Sequence, residues 1–107
     1  MEHQLKIIPK YFKQILSAEK TFEIRKNDRN YQENDILILK EFNQETKIFT
    51  GSYVKCKVIS IVKDSDFPEG IKSGYCIMSL DLQEIKLPDS HRYISTMIFS
   101  SRANIGE

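Results

Sequence analysis

The sequence is short of almost everything that small proteins use when a core alone does not suffice. Its 107 residues include no tryptophan and only four glycines, three prolines, two cysteines and two histidines. Cys56 and Cys76 stand in neither a C-x-x-C nor a C-x-H arrangement, and His3 and His91 are isolated, so local spacing builds no zinc site. The cysteines read as reduced, buried thiols that pack like small apolar residues, and neither a metal nor a cofactor is expected. The longest aliphatic run, residues 36–39, is far short of the roughly 20 residues a membrane helix needs. Met1-Glu2-His3-Gln4 lacks the basic and then apolar plan of a secretory signal, so the expected address is the cytoplasm. Charge of one sign is missing as well. Sixteen Lys and Arg against fifteen Asp and Glu leave +1, which excludes a bulk polyanion binder.

What is present is ordinary for one globular domain: 40% hydrophobic and 29% charged residues. A chain of this size buries roughly two-thirds of its unfolded surface, enough for one core without staples. The charge is uneven along it. Residues 1–30 carry seven basic and four acidic side chains, 7 − 4 = +3, and the remainder carries 9 − 11 = −2. A basic face is therefore sought in the N-terminal third.

Residues 4–8 read as a short strand with Leu5 and Ile7 on one face. Pro9 suits the first turn of a helix, and Ile8, Phe12 and Leu16, flanked by Tyr11 and Ile15, form its apolar stripe over about ten residues; Tyr11 is expected in the core. Residues 21–25 alternate with period two, predicting Phe22 and Ile24 buried on one face and Thr21, Glu23 and Arg25 on the other. Two polar turns follow, at residues 26–30 and 33–35, with Asn34 the expected left-handed residue. Residues 36–42 read as a strand buried on both faces at its start, 43–51 as a hairpin loop, and 52–63 as a long strand. Val54, Cys56, Val58 and Val62 share one face of that strand, and Ile59 and Ile61 suggest a more buried environment past its middle. Residues 64–74, with Phe67-Pro68-Glu69-Gly70, form a loop, and 75–82 another strand. Residues 93–99 suggest an edge strand, and the end of the chain is expected to fray. One early helix with mostly unalternated strands predicts an α+β, mainly β domain, a small barrel rather than a doubly wound sheet.

The stretch that carries chemistry is Lys20-Thr21-Phe22-Glu23-Ile24-Arg25. A strand sets Glu23 and Arg25 on one face, about 7 Å apart at Cα, and Lys20 reaches toward them. A carboxylate between two cations stays ionised and orients both. Such a trio can receive a phosphate or the polar edge of a base, the Arg as a planar fork and the Lys as a point charge. On an exposed strand the same trio would be an ordinary ladder of surface charges.

Lys20-x-x-Glu23-x-Arg25 resembles the Gly-x-Lys-x-x-Glu-x-Arg signature of ASCH domains. His3-x-Leu5-Lys6-Ile7-x-Pro9-x-Tyr11-Phe12, Phe22-Glu23-Ile24-Arg25-x-Asn27-Asp28-Arg29 and Asp35-Ile36-Leu37 resemble a small ASCH-related family of bacterial and phage proteins of unknown function. The resemblance covers about residues 3 to 82. It implies a PUA-like pseudo-barrel of five to six strands with the N-terminal helix at its mouth, spanning residues 1–85, with 86–107 as a C-terminal extension. It also implies a cleft beside the barrel for RNA or a nucleotide, lined by Lys20, Glu23 and Arg25. Ala18 stands where the signature has Gly, and Asn34 where the family has a Gly-Asp turn.

The expected function is a module binding single-stranded RNA or a nucleotide-like ligand, with Lys6, Arg29 and Tyr31 as further contacts and Tyr31 as a stacking platform. His3 reads as structural. The resemblance extends to bacterial N4-acetylcytidine amidohydrolases, which have a Thr nucleophile where this chain has Glu23. A small hydrolase would need Lys20 as base and Thr21 as the nearby hydroxyl, with Glu23 between. Because Glu23 pairs with Lys20 and keeps it protonated, no release of acetate from N4-acetylcytidine is expected. A protein-interaction adaptor with a vestigial cleft is the third reading.

Overall fold

The structure is a computed structural model and describes residues 1–88; the edge strand expected at 93–99 and the fraying end lie outside the described residues. The chain runs β1 (Glu2–Ile7), α1 (Pro9–Leu16), β2 (Phe22–Lys26), β3 (Ile36–Asn43), β4 (Ile48–Lys63) and β5 (Tyr75–Lys86). All five strands form one sheet in the order β1-β3-β4-β5-β2. β1 pairs with β3 in parallel and the other pairings are antiparallel. Among the described residues no helix is long and apolar enough to cross a membrane.

β1 alternates as the sequence suggests, with His3, Leu5 and Ile7 buried. Pro9 opens α1 at the position where a missing N–H costs nothing. The helix buries Phe12, Ile15 and Leu16, each contributing about 1.5–3 kcal/mol of transfer free energy. They pack on Leu37 and Leu39 of β3, Val54, Cys56 and Val58 of β4, and Cys76 and Met78 of β5. Both cysteines are buried and outside any disulfide, and burial pushes the Cys76 thiol up, against the pull of Lys63.

The sheet bends where its ladders slip. Register shifts fall between Lys40 and Phe42 on β3, and between Lys55 and Cys56 and between Val58 and Ser60 on β4. An extra residue in one strand increases local twist. The last shift corrects the expectation for β4. Past the bulge, Ile61 turns toward the core and Val62 and Ile59 turn outward, so this end of the strand is less buried, not more. β3 is also not buried on both faces: Leu37 and Leu39 are fully buried, while Ile36 and Ile38 are only half-buried. The hairpin loop is shorter than expected because Asn43 Oδ1 accepts from the N–H groups of Glu45 and Thr46, which closes the turn before β4 starts at Ile48.

Two non-glycine residues with positive φ shape the approach to the site. Asn34 takes φ 73°, as expected. Ala18 takes φ 63° just beyond α1, with its N–H on the Ile15 carbonyl and the Lys20 N–H on the Gln14 carbonyl. This is a left-handed helix stop of the kind glycine usually makes. It turns the chain back so that Lys20 faces β2.

β1 is anchored to β3 by Asp35. The buried carboxylate is hydrogen-bonded to His3 Nε2 at 2.8 Å and accepts from the Gln32 N–H at 3.0 Å and the Met1 ammonium at 3.1 Å. Burial would raise its pKa, but these hydrogen bonds together outweigh burial and hold it below the ordinary value of 3.8. A depressed carboxylate contributes stability that is complete above the unfolded value and is lost as pH falls through the folded one. Urea melts should therefore show stability falling below about pH 4, and Asp35→Asn should flatten that acid limb. Ala18→Gly should raise stability by about 0.5–1 kcal/mol, because relief of the left-handed cost exceeds the added freedom of the unfolded chain. A loss of stability would show that Ala18 is not strained.

Candidate functional site

β1 and β2 are the two edges of the sheet, and no backbone ladder joins them. Side chains close the gap. Arg25 Nη2 donates to the Lys6 carbonyl at 2.7 Å, and Arg29 Nη1 donates to the Gln4 carbonyl at 3.2 Å. Both acceptors lie on β1, so two arginines shut the seam of a half-barrel.

Beside the seam, between α1 and β2, is a cavity of about 570 Å³. Lys20, Glu23 and Arg25 meet in it. Glu23 is buried, at 4% exposure. Its Oε1 accepts from Lys20 Nζ at 2.5 Å and its Oε2 from Arg25 Nε at 2.7 Å. Lys20 Nζ also donates to the Phe22 carbonyl and lies 5.6 Å from the Tyr11 ring and 5.1 Å from the Phe22 ring, within cation–π range. The carboxylate thus has a cation on each oxygen, which is what permits its burial. The trio is a built-in polar floor rather than a surface ladder.

Period two correctly puts Glu23 and Arg25 on one face, but the faces are inverted. Glu23 is the buried one, and Phe22 and Ile24 are 40% and 56% exposed. β2 is an edge strand beside a cavity, so its apolar face becomes cavity wall instead of core. Tyr11 is corrected likewise: it is 40% exposed and lines the cavity.

Of the other expected contacts, Lys6 lines the cavity. Arg29 does not line it and lies in a neighbouring groove. Tyr31 is 1% exposed and packs edge-to-face on His3, with ring centroids 4.8 Å apart, so it presents no face to a base. Burial raises its pKa, partly offset by Arg25 and Arg29. Thr21 lies outside the cavity and lines a small recess behind Lys20. Lys20 borders that recess as well as the cavity, and its Nζ is engaged by Glu23. His3 is structural, through Asp35. Among the described residues no group of His, Cys, Asp and Glu could hold a metal ion.

A family model described as a domain of unknown function, DUF3850, matches residues 2–80. The chain belongs to this family. The DUF3850 match ends within β5 and so contains the whole cavity. The chain is 40% identical over 67 residues to an uncharacterised 12.9 kDa protein in the GpA 3′ region of Escherichia phage P2, covering 63% of this chain and 60% of the phage protein. Among solved structures, the hypothetical protein PH0355 superposes with a TM-score of 0.51 at 17% identity, covering 78% of this chain and all of that one. ASCH from Zymomonas mobilis superposes with a TM-score of 0.50 at 16% identity, covering 78% and 67%. This DUF3850 chain has the ASCH-like fold: a mainly β half-barrel of five strands and one short helix.

Removing the carboxylate alone would leave Lys20 and Arg25 facing each other across a vacated floor. Glu23→Ala should cost about 3 kcal/mol in urea denaturation, the low end for breaking a buried pair because both cations keep some solvent. Glu23→Gln, which retains an acceptor, should cost less. A loss below about 1 kcal/mol for Glu23→Ala would mark the trio as an ordinary surface pair.

Proposed function

We propose that this domain binds single-stranded RNA or a nucleotide-like ligand, with a base entering the cavity between α1 and β2. The observation that carries the proposal is the lining of that cavity. Tyr11, Phe22 and Ile24 supply exposed flat or apolar walls, and Lys20, Glu23 and Arg25 supply a fixed polar floor. Its volume of about 570 Å³ lies within the ordinary range for small-ligand sites. Stacking against an aromatic ring recognises any base, and the donors left over on Lys20 and Arg25 suit a carbonyl edge or a phosphate oxygen. The association of ASCH and PUA relatives with RNA supports the same ligand class.

The trio is closer to neutral than three cations would be, because Glu23 cancels one charge. The cavity itself therefore makes few phosphate contacts. In a fluorescence anisotropy titration with a labelled ten-nucleotide RNA, binding should be saturable and fall with salt at about −0.7 in log–log slope per phosphate contacted. Tyr11→Ala should weaken binding about tenfold, the loss of one stacked base, with only a small fall in melting temperature, since the side chain is partly in solvent. Wild-type affinity in that variant would move the ligand out of the cavity, and a wild-type protein that binds neither RNA nor a mononucleotide would sink the proposal.

A further inference from the structure

A second concavity, of about 430 Å³, lies on the β1 side of the same seam. Among the described residues its lining includes Lys6, Arg25, Arg29 and Lys40, together with Gln4 and Phe49, and no carboxylate. Arg25 is paired with Glu23 on the cavity side, while Lys6, Arg29 and Lys40 have no carboxylate partner among the described residues, a local departure in a chain of net charge +1.

The cations are held in place. Arg29 is fixed on the Gln4 carbonyl and Arg25 on that of Lys6. Lys40 Nζ donates to Gln4 Oε1 at 3.3 Å and lies 5.1 Å from the Phe49 ring; Lys6 Nζ lies 4.4 Å from the Phe42 ring. Phe42 and Phe49 brace each other edge-to-face at 4.9 Å. Each of these cations keeps donors beyond the ones so used, since a lysine has three and an arginine five. The Phe49 ring is 43% exposed. Lys6 and Arg25 line both concavities, so the groove adjoins the cavity at the seam.

We infer that this groove carries the phosphodiester backbone of nucleotides flanking the base in the cavity, with the Phe49 ring as a second stacking surface. Preorganised cations beside an exposed aromatic ring are what a single strand needs. An acidic peptide would use the charges but not the ring. The ligand is then an oligonucleotide strand rather than a free nucleoside. This rests on the nucleotide reading of the cavity, and the two separate experimentally.

Anisotropy titrations of the full chain would use a labelled ten-nucleotide RNA, with cytidine monophosphate followed by calorimetry. The decamer should bind more tightly than the mononucleotide. Lys40→Ala and Arg29→Ala should each weaken the decamer severalfold and reduce its salt slope by about 0.7, leaving the mononucleotide unaffected. Lys13→Ala removes an exposed cation of α1 that lines neither concavity and should leave the slope as it is. Lys40→Gln keeps much of the stem over Phe49 and serves if Arg29→Ala, which unpins Gln4, does not fold. Unchanged decamer affinity and slope in the Lys40 variants, with Tyr11-dependent mononucleotide binding intact, would overturn the groove and spare the cavity. Absence of any RNA or mononucleotide binding by the wild type would overturn both. Polyglutamate competing as well as RNA would assign the groove to an acidic protein segment and overturn the inference.

Discussion

Of the two arginines that close the seam of this half-barrel, Arg25 is held by a buried carboxylate, and Arg29 bonds the Gln4 carbonyl independently of it. Glu23 is the least exposed charged group of the seam, and it fixes Arg25, whose other end reaches across to β1. Burying an isolated carboxylate would be prohibitive, and the two cations on its two oxygens are what make its position tolerable. Lys20 can supply one of them only because the chain reverses at Ala18, so that a strained turn, an ion pair and the closure of a sheet form one connected arrangement. Remove the carboxylate and the two cations oppose each other at the place where the sheet edges must approach.

The sheet explains why closure is left to side chains. β1 hydrogen-bonds to β3 and β2 to β5, so each presents an edge to the other across the seam. Unpaired edges are a liability in solution. Here the β1 carbonyls of Gln4 and Lys6 accept from guanidinium groups, which occupies that edge and discourages pairing with another chain. A continuous backbone ladder would have sealed the barrel and left no cavity between α1 and β2.

Much of this was readable from residue order. The alternation of Leu5 and Ile7, Pro9 at a helix start, Asn34 in a left-handed turn and the Lys20-Glu23-Arg25 spacing all report local geometry, which sequence encodes directly. The failures share one cause. Period two separates Phe22 and Ile24 from Glu23 and Arg25 but does not say which face looks inward, and here the charged face does. Tyr31 follows a polar turn, which predicts exposure, yet its ring fills the space beside His3, a contact between residues 28 positions apart (31 − 3). Tyr11 went the other way because a helical stripe does not show where a cavity interrupts the core. Val62 lost its place to Ile61 through a bulge, which no local residue pattern announces. Each error concerns what lies on the far side of an element, information held by the tertiary arrangement alone.

Because arginine side chains rather than a peptide ladder join β1 to the lip opposite, the width of the mouth is adjustable one residue at a time. Altering a hydrogen-bond ladder shifts a whole strand and turns every side chain on it over. The Arg25 and Arg29 side chains act across the seam from outside every backbone ladder, so a change of length at either alters the approach of the lips without slipping a register. A half-barrel closed in this manner keeps its core, from Leu5 to Met78, apart from the bonds that span its seam.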